Sequence, residues 1–507
     1  MSKKISFATQ TIIMKYCFKH ITIFIYLLIS FATSAQLTQG KRIEFERNNS
    51  VEEEHLLIPL RENGTVLLKS SIEPYRRKFT IDFHKYDSTL TQIWKTTFLP
   101  DQDFDLVKTF HNERFLYVLF KKNDRVEVGV LRIDFETGDK SYAEGNLLTN
   151  IQIEHFVVLK NKAFIGGKYN DRPVTVVFSF FDKTSKVLPE IHNNYLVISH
   201  LSVDEQNEEV YLMLKNERNC QFILKTYSYE GKVTNTLVMG DKQTTPISGE
   251  VLKIDSKKTI LLGNYSEGCS QFSLGIYLQS LSDDSKIQYI NFADLKNFFR
   301  FLNPKREEKI KTKISQKKQK GKEVKLRYRL LLHDIIPTND GWVMLAEIFY
   351  PEYKSNTNTT GWYTWRNYRI GNDVYNNFRY SHAVICGFDK NGKLLWDNSI
   401  SLKELESSEL NAKVQLTQQD NYQILAYPDD NFIRTVVIKE GEKAKDLESF
   451  DLKAASDSEK ITNTERNNLV AWYGHSFLVY GYQSIRKNND LVNREVFYIS
   501  KLTYALK

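Results

Sequence analysis

An acidic residue recurs at nearly constant spacing along the chain. An acidic residue directly follows an aromatic or aliphatic residue at positions 87, 134, 182 and 230, which are separated by 47, 48 and 48 residues. Each pair ends a short run rich in Val, Ile, Phe and Tyr, and polar residues typical of a tight turn follow. A fixed period of this length indicates an array of structurally equivalent repeats.

Each repeat predicts about four strands. A second hairpin pattern precedes the acidic turn, for example in residues 114–134 and 162–182. Four antiparallel strands with this period are typical of one blade of a β-propeller. The repeats are expected at roughly 52–99, 104–146, 150–192, 197–240, 247–290, 326–402, 411–446 and 464–507.

The fold class predicted is all-β, a single eight-bladed β-propeller over residues 36–507. The last repeat ends after its third strand, so residues 40–47 are predicted to supply the fourth strand and close the ring. Seven blades with one miscounted hairpin is the main alternative, and two packed sandwiches is a more distant one.

Two repeats share a longer pattern. Tyr86-Asp87 is followed by Trp94, and Phe388-Asp389 is followed by Trp396 at the same spacing. On these residues the chain resembles bacterial envelope β-propellers whose blades carry an aromatic-Asp-x-x-Gly turn before a strand with Trp. Residues 388–396 have the full form, whereas the turn at Asp87 lacks the glycine. The resemblance implies a fold and no particular activity.

The first 35 residues have the order of a secretory signal peptide. Four lysines precede an apolar run over residues 21–31, and Ala32-Thr33-Ser34-Ala35 follows it. Cleavage after Ala35 would give an exported protein. Its expected location is the periplasm, the outer membrane or the cell exterior. A membrane anchor is the alternative, but this run has about half of the roughly 20 residues that a spanning helix needs. No transmembrane segment is predicted after Gln36.

The excess of basic over acidic residues is confined to one segment. Loss of residues 1–35 removes four of the 70 Lys and Arg and none of the 62 acids, so the net charge falls from +8 to +4. Residues 305–327 contain eleven Lys or Arg and three Glu, a local charge of +8 that leaves −4 for the remaining mature chain. The protein therefore carries a basic insertion and is not basic throughout.

This helical and basic insertion is predicted over residues 291–325. Asp294 is expected to cap a helix with an apolar stripe from Leu295 to Leu302, which Pro304 ends. The following basic arm could bind an acidic protein, anionic lipid headgroups or lipopolysaccharide phosphates. Nucleic acid is not expected as a partner of an exported protein, and a solvated surface segment is the alternative. The candidate anion-binding residues here are Lys317, Lys318 and Lys320.

A second insertion, residues 350–380, is rich in aromatic residues. Aromatic side chains with polar atoms anchor protein interfaces and stack on sugar rings. The alternative is a long loop folded onto its own blade. The candidate partner-binding or glycan-binding residues are Tyr353, Trp362, Tyr363, Trp365 and Tyr368.

Three predicted loops repeat an arginine. Arg125, Arg172 and Arg218 each follow Asn and an acid, at intervals of 47 and 46 residues. On one face of successive blades these guanidinium groups could form an anion-binding arc. The acid beside each arginine favours local salt bridges as the alternative.

The cysteines do not indicate a disulfide framework. Cys220, Cys269 and Cys386 remain after residue 35, without the spacing of a metal site. Small buried hydrophobic side chains are the expectation for all three. A bridge between Cys220 and Cys269 is the alternative, because they occupy similar places in neighbouring repeats.

Catalytic motifs are missing from the sequence. No HExxH, GxSxG, P-loop or GxGxxG pattern occurs in the required context, so no catalytic residue, metal or cofactor is predicted. Asp101, Asp103 and Asp105 lack the glycine and the glutamate of a calcium loop, and His333 is expected in the core or at a strand end. The sequence favours a non-enzymatic scaffold or accessory subunit of a bacterial envelope complex. A glycan-binding protein or glycan-active enzyme that uses the aromatic insertion is the alternative.

Overall fold

The computed structural model places most of the chain after residue 35. The predicted signal peptide and the five candidate residues of the aromatic insertion lie outside the described residues. The described ranges are 36–48, 51–73, 78–101, 103–189, 191, 193–241, 243–254, 258–281, 286–333, 335–338, 340–352, 377–402, 405–419, 421–429, 431–444, 447–487 and 492–505.

Eight antiparallel sheets form the blades of a β-propeller, which confirms the predicted fold class over the seven-bladed alternative. Strand β1 (Gln36–Glu46) belongs to the last blade. Blades 1 to 4 each contain four consecutive strands. Blade 1 contains β2 (Glu52–Pro59), β3 (Thr65–Glu73), β4 (Lys78–Tyr86) and β5 (Gln92–Phe98), and blade 2 contains β6 (Phe104–His111), β7 (Phe115–Lys122), β8 (Glu127–Asp134) and β9 (Lys140–Asn146). Blade 3 contains β10 (Gln152–Leu159), β11 (Lys162–Tyr169), β12 (Arg172–Ser179) and β13 (Ser185–Val187), and blade 4 contains β14 (Leu196–Asp204), β15 (Glu209–Asn216), β16 (Phe222–Ser228) and β17 (Val233–Met239).

Blades 5 to 8 follow the same order, with first strands that are split in blades 5 and 6. Their strands are β18 (Thr244–Pro246), β19 (Glu250–Lys253), β20 (Thr259–Glu267), β21 (Gly275–Ser280) and β22 (Gln288–Asn291); β23 (Arg329–Leu332), β24 (Ile336–Thr338), β25 (Gly341–Glu352), β26 (Asn377–Asp389), β27 (Leu394–Ser401) and β28 (Glu406–Ser407); β29 (Gln415–Gln419), β30 (Tyr422–Asp429), β31 (Phe432–Lys439) and β32 (Glu448–Asp451); β33 (Glu459–Ala471), β34 (Ser476–Lys487) and β35 (Arg494–Ala505). Two 3-10 turns, Arg61–Asn63 and Phe292–Asp294, and one helix, α1 (Pro304–Gln319), complete the described elements.

The N-terminal strand closes the ring, as the sequence predicts. Strand β1 pairs antiparallel with β35, from Gln36 opposite Ala505 to Glu46 opposite Val496. The last blade therefore has the order β33-β34-β35-β1, with its outermost strand supplied by the other end of the domain. This pairing covers the edge that β35 would otherwise expose.

Apolar side chains fill the space between neighbouring blades. The described core comprises eight hydrophobic clusters, each shared by two adjacent blades. The cluster with Leu57 and Leu67 of blade 1 and Leu478 and Phe497 of blade 8 closes the circle. Both faces of these sheets are buried, which explains the continuous apolar runs in the middle strands.

The recurrent acids close the turns between third and fourth strands. Asp87 Oδ1 accepts hydrogen bonds from the backbone N–H of Thr89 and of Thr91, both at 2.8 Å. Asp389 Oδ1 accepts from the N–H of Asn391 at 2.8 Å and of Lys393 at 2.9 Å. A short acceptor side chain in this position mimics a backbone turn. The repeat is therefore visible in the sequence because each blade needs the same turn.

The predicted helix after Asp294 is wrong. Residues 295–302 form turns, and α1 begins at Pro304, where helix termination was expected. Asn303 caps α1 by accepting a hydrogen bond from the N–H of Arg306 at 3.0 Å. Proline suits the first helical position because it needs no N–H partner there. The apolar stripe is buried instead against blades 5 and 6, where Phe298 is fully enclosed.

Connections alternate between the two faces of the propeller. The four strands of each blade are lettered A to D, from the first to the last. The loops between strands B and C, and the connections between blades, lie on one face, which we term the BC face. Loops between first and second strands, and between third and fourth strands, lie on the other, the AB face. The described residues contain no helix with the length and apolar character to cross a membrane.

Candidate functional site

Exposed aromatic side chains are concentrated on the BC face. Five of them lie in loops or at strand ends on this face and are between 36% and 49% exposed. The other exposed aromatic residues of the described ranges are Tyr289, which is 40% exposed in the outer strand β22, and Phe181 of the AB face, which is 91% exposed in the turn after β12. Aromatic anchors are enriched in protein interfaces because they bury a large area with little conformational cost. The five residues of the BC face are Tyr169, Tyr195, Phe272, Tyr350 and Phe432.

The three repeated arginines lie on the same face. Arg125 and Arg218 lie in the loops after β7 and β15, and Arg172 begins β12. All three are exposed, and none forms an ion pair with a described residue, so the alternative of local salt bridges is not observed there. The Arg218 guanidinium lies 5.4 Å from the centre of the Tyr195 ring. These guanidinium groups are thus accessible on three consecutive blades.

A disulfide links two loops of the BC face, contrary to the expectation of buried thiols at both positions. Cys220 in the β15–β16 loop of blade 4 is bonded to Cys269 in the β20–β21 loop of blade 5. The Cα atoms are 5.5 Å apart because these loops project side by side, within the range that a disulfide requires. Cys386 is a buried free cysteine, as expected.

Helix α1 adds positive charge beside the BC face. Lys311, Lys318, Lys325 and Arg327 form ion pairs, and the other seven cations of residues 305–327 have none with a described residue. At 100° per residue, six of those seven lie within about 120° of the helix circumference. Ile310 and Ile314 pack against the core cluster of blades 5 and 6. The exposed stripe comprises Lys305, Arg306, Lys309, Lys313, Lys317 and Lys320.

The three lysines predicted to bind an anion therefore have different environments in the structure. Lys317 and Lys320 belong to the exposed stripe, whereas Lys318 Nζ lies 2.7 Å from Asp294 Oδ1 and 2.8 Å from the carbonyl oxygen of Ala293. This lysine holds the helix against the preceding turn. Its amine has less freedom to bind an external anion than those of its neighbours.

The aromatic insertion leaves the propeller at the BC face. Strand β25 ends at Glu352 and β26 begins at Asn377, and these are the second and third strands of blade 6. The candidates between them stay predictions, because residues 353–376 lie outside the described residues. The topology nevertheless brings both ends of this segment to the face that carries the exposed aromatics and arginines.

A polar cavity of about 260 Å³ lies on the AB face between blades 6 and 7. Gln423 lines it, and both amide atoms of this side chain, only 1% exposed, lack a hydrogen-bond partner among the described residues. Trp396 forms part of the wall, and Asp340, Asn421 and Glu440 add polar groups. A buried amide without partners is costly, so a polar occupant would stabilise it.

His333 directly follows β23, which agrees with the predicted strand-end position, and its side chain is 8% exposed. Its Nε2 lies within ion-pair distance, 3.0 Å, of Glu347 Oε1 but does not form a hydrogen bond with it. The same oxygen accepts hydrogen bonds from the backbone N–H groups of Lys413 and Val414. These contacts join blade 6 to the connection that enters blade 7. The Glu347 side chain is fully buried and does not contact solvent. Within the described ranges, no cluster of three or more His, Cys, Asp or Glu is suited to a metal ion.

A buried histidine predicts a pH-dependent stability. His382 stacks on Phe301 with ring centres 3.7 Å apart, and burial lowers its pKa from 6.5 to about 3. Below pH 6.5 the unfolded chain binds a proton at this histidine that the folded protein excludes, so His382 alone should lower the free energy of unfolding by about 1.4 kcal/mol per pH unit toward pH 3. Urea unfolding at several pH values should show a shallower slope for His382→Phe. An unchanged slope would contradict this assignment.

The chain matches no protein-family model and no curated protein. Its fold resembles solved β-propellers, including the propeller domain of the Trilobed protease from Pyrococcus furiosus (10% identity, 78% of this chain and 93% of that chain, TM-score 0.34). The Nup133 propeller domain of Vanderwaltozyma polyspora is 12% identical over 80% of this chain and all of that chain, with a TM-score of 0.38. The polysaccharide lyase Uly1 is 8% identical over 78% and 89%, also with a TM-score of 0.38.

Proposed function

We propose that this protein is a non-enzymatic, exported β-propeller that binds a protein partner in the bacterial envelope through its BC face. It would act as a scaffold or accessory subunit. The observation that carries this proposal is the concentration on one face of exposed aromatic side chains and of arginines that form no ion pair with a described residue. Both residue types are enriched in interfaces, whereas single exposed apolar residues scattered over both faces would have no such meaning.

The ends of the aromatic insertion support the same face. The strands that flank residues 353–376 meet this segment at the BC face, near the described aromatic residue Tyr350. The contact residues predicted in the insertion, Trp362 and Trp365, are therefore proposed to act at the same face. The basic stripe of α1 would add long-range attraction for an acidic partner or an anionic lipid surface.

Export is supported by two independent features. The first is the signal-like order of residues 1–35, and the second is the disulfide between blades 4 and 5. Disulfides persist in oxidising compartments such as the periplasm and are rare in the cytosol. Localisation to the periplasm, the outer membrane or the cell exterior is part of the proposal, and cell fractionation would distinguish the three.

Cross-linking with mass spectrometry on native envelopes tests the proposal. We expect reproducible cross-links to one protein that are lost in the Trp362→Ala/Trp365→Ala variant. Phe181→Ala is the matched control, because it removes an exposed aromatic from the opposite face. Absence of a partner, in a preparation where known complexes do cross-link, would refute the scaffold function.

Glycan binding is the second candidate function, and the polar cavity on the AB face favours it. An aromatic ring beside amide and carboxylate groups is a common way to recognise a sugar, which offers an apolar ring face and several hydroxyls. The unpartnered Gln423 amide is the specific observation. A glycan array should then give a signal that Trp396→Ala abolishes; a signal that depends on Trp362 and Trp365 instead would assign recognition to the aromatic insertion.

A further inference from the structure

A larger cavity lies on the rim of the propeller, away from the polar cavity of the AB face. It has a volume of about 630 Å³ and is enclosed by the segment before α1, strand β27 of blade 6 and blade 7. Volumes of this size are typical of sites for small molecules. The three walls come from residues 300–306, 399–401 and 436–447, so no linear motif marks the site.

The floor of this rim cavity is apolar. Phe301, Leu302, Ile400, Val436 and Leu447 line it. The Phe301 ring is fixed by stacking on His382, and Ile400 and Val436 belong to the core between blades 6 and 7. Leu447 is 45% exposed at the edge. A hydrocarbon chain on this floor would be removed from water, which favours binding.

The mouth of the rim cavity is positively charged. Arg300, Arg306 and Lys443 line it, and no carboxylate is found among its described lining residues. The Arg300 Nη1 group donates to the carbonyl oxygens of Gly441 at 2.8 Å and Glu442 at 2.7 Å, which fixes its guanidinium. Arg306 and Lys443 are exposed and have no ion pair with a described residue.

We propose that the rim cavity binds a single amphipathic anion, a hydrocarbon chain with a phosphate or carboxylate headgroup. The apolar floor would hold the chain, and Arg306 and Lys443 would contact the headgroup at the mouth. A free inorganic anion would leave the floor exposed, and a neutral amphiphile would leave the cations without a partner. This site shares Arg306 with the exposed stripe of α1, but its floor and Lys443 lie outside that stripe, and the inference does not depend on the proposed scaffold function.

Isothermal titration calorimetry of the purified protein with dodecyl phosphate, below its micelle concentration, tests this inference. We expect one molecule bound per protein, with inorganic phosphate and dodecanol each binding at least 100-fold more weakly. Dodecanoate distinguishes the headgroups: binding equal to that of dodecyl phosphate assigns a general anion site, and weaker binding assigns a phosphate site. Equal binding of dodecanol, or no binding of either anionic amphiphile, would overturn the proposal.

Two charge-matched double variants locate the site. Arg306→Gln/Lys443→Gln should weaken dodecyl phosphate binding at least tenfold, because both cations line the mouth. Lys309→Gln/Lys313→Gln removes the same charge from the exposed stripe of α1, outside the described cavity lining, and should leave the affinity within twofold. Equal loss in both variants would indicate nonspecific attraction to the helix and would overturn the site. All four positions are exposed, so neither variant is expected to disturb folding.

Discussion

Deletion of residues 36–46 is expected to abolish the cooperative folding of the propeller. These residues form β1, which supplies the outer strand of blade 8, buries Leu37 in the core shared with blade 7 and covers the edge of β35. Without β1, blade 8 would have three strands and an open edge, which favours aggregation. A truncated protein that still unfolds in one sharp, reversible transition would contradict this role.

Charged side chains of blade 8 hold β1 in place. Nη2 of Arg494 in β35 forms ion pairs with Oε2 of Glu44 in β1 at 2.5 Å and with Oε2 of Glu459 in β33 at 3.0 Å. Nε of Arg42 forms a further ion pair with Oε1 of Glu44 at 2.6 Å. Arg494→Gln should therefore cost about 1–3 kcal/mol in urea unfolding, because Glu459 loses this partner and Glu44 keeps only Arg42. The control is Arg47→Gln, which removes an exposed pair with Glu495 and should cost less than about 1 kcal/mol.

Removal of the disulfide is expected to give the second large loss of stability. Cys220 and Cys269 are 49 residues apart in the sequence, and a bridge over a loop of this length contributes about 4 kcal/mol by restricting the unfolded chain. Urea unfolding of Cys220→Ser/Cys269→Ser should therefore show a loss of about 3–4 kcal/mol. The apolar core between blades 4 and 5 stays intact, so the variant should still fold.

Reduction provides the control for this prediction. Dithiothreitol should lower the stability of the unmodified protein to that of the double variant and should not affect the variant. Cys386, which is buried and unpaired, cannot account for the difference. A protein whose stability is insensitive to reduction would contradict a stabilising bridge.

The blades could be predicted because their signals are local. The turn at Asp389 needs a side-chain acceptor and a residue at positive φ, supplied by Gly392 with φ of +82°, and each constraint acts within a few residues. The near-constant spacing of these turns in the first four blades indicates the repeat, and the strand pattern of the remaining chain extends the count to eight. The ring closure also followed from counting, because the last repeat lacked one strand and residues 40–47 had the required pattern.

The position of the helix could not be read from apolar periodicity. Leu295 and Phe298 have helical spacing, but burial between blades 5 and 6 is satisfied by turns, whereas Asn303 and Pro304 form a strong helix start. The charged segment that follows is rich in Lys, Glu and Gln, which have high helix propensity. Capping residues were the better signal here.

The candidate sites depend on contacts that no linear pattern contains. The rim cavity combines Arg306 and Lys443, and the polar cavity combines Trp396 and Gln423, from different blades or insertions. Trp396 was visible in the sequence as part of a turn motif, without any indication of what it lines. The disulfide similarly required knowing that two loops are neighbours in space.

Site-specific photo-cross-linking in cells tests the central claim that the BC face is the binding face. A photoreactive phenylalanine analogue would replace Arg125, Arg172 or Arg218 on the BC face. In the same three blades it would replace Glu136, Lys183 or Glu230 in the exposed turns of the AB face. We predict cross-links to one envelope protein from the BC positions and none from the AB positions. The reverse pattern, or equal yields from both faces, would contradict the account.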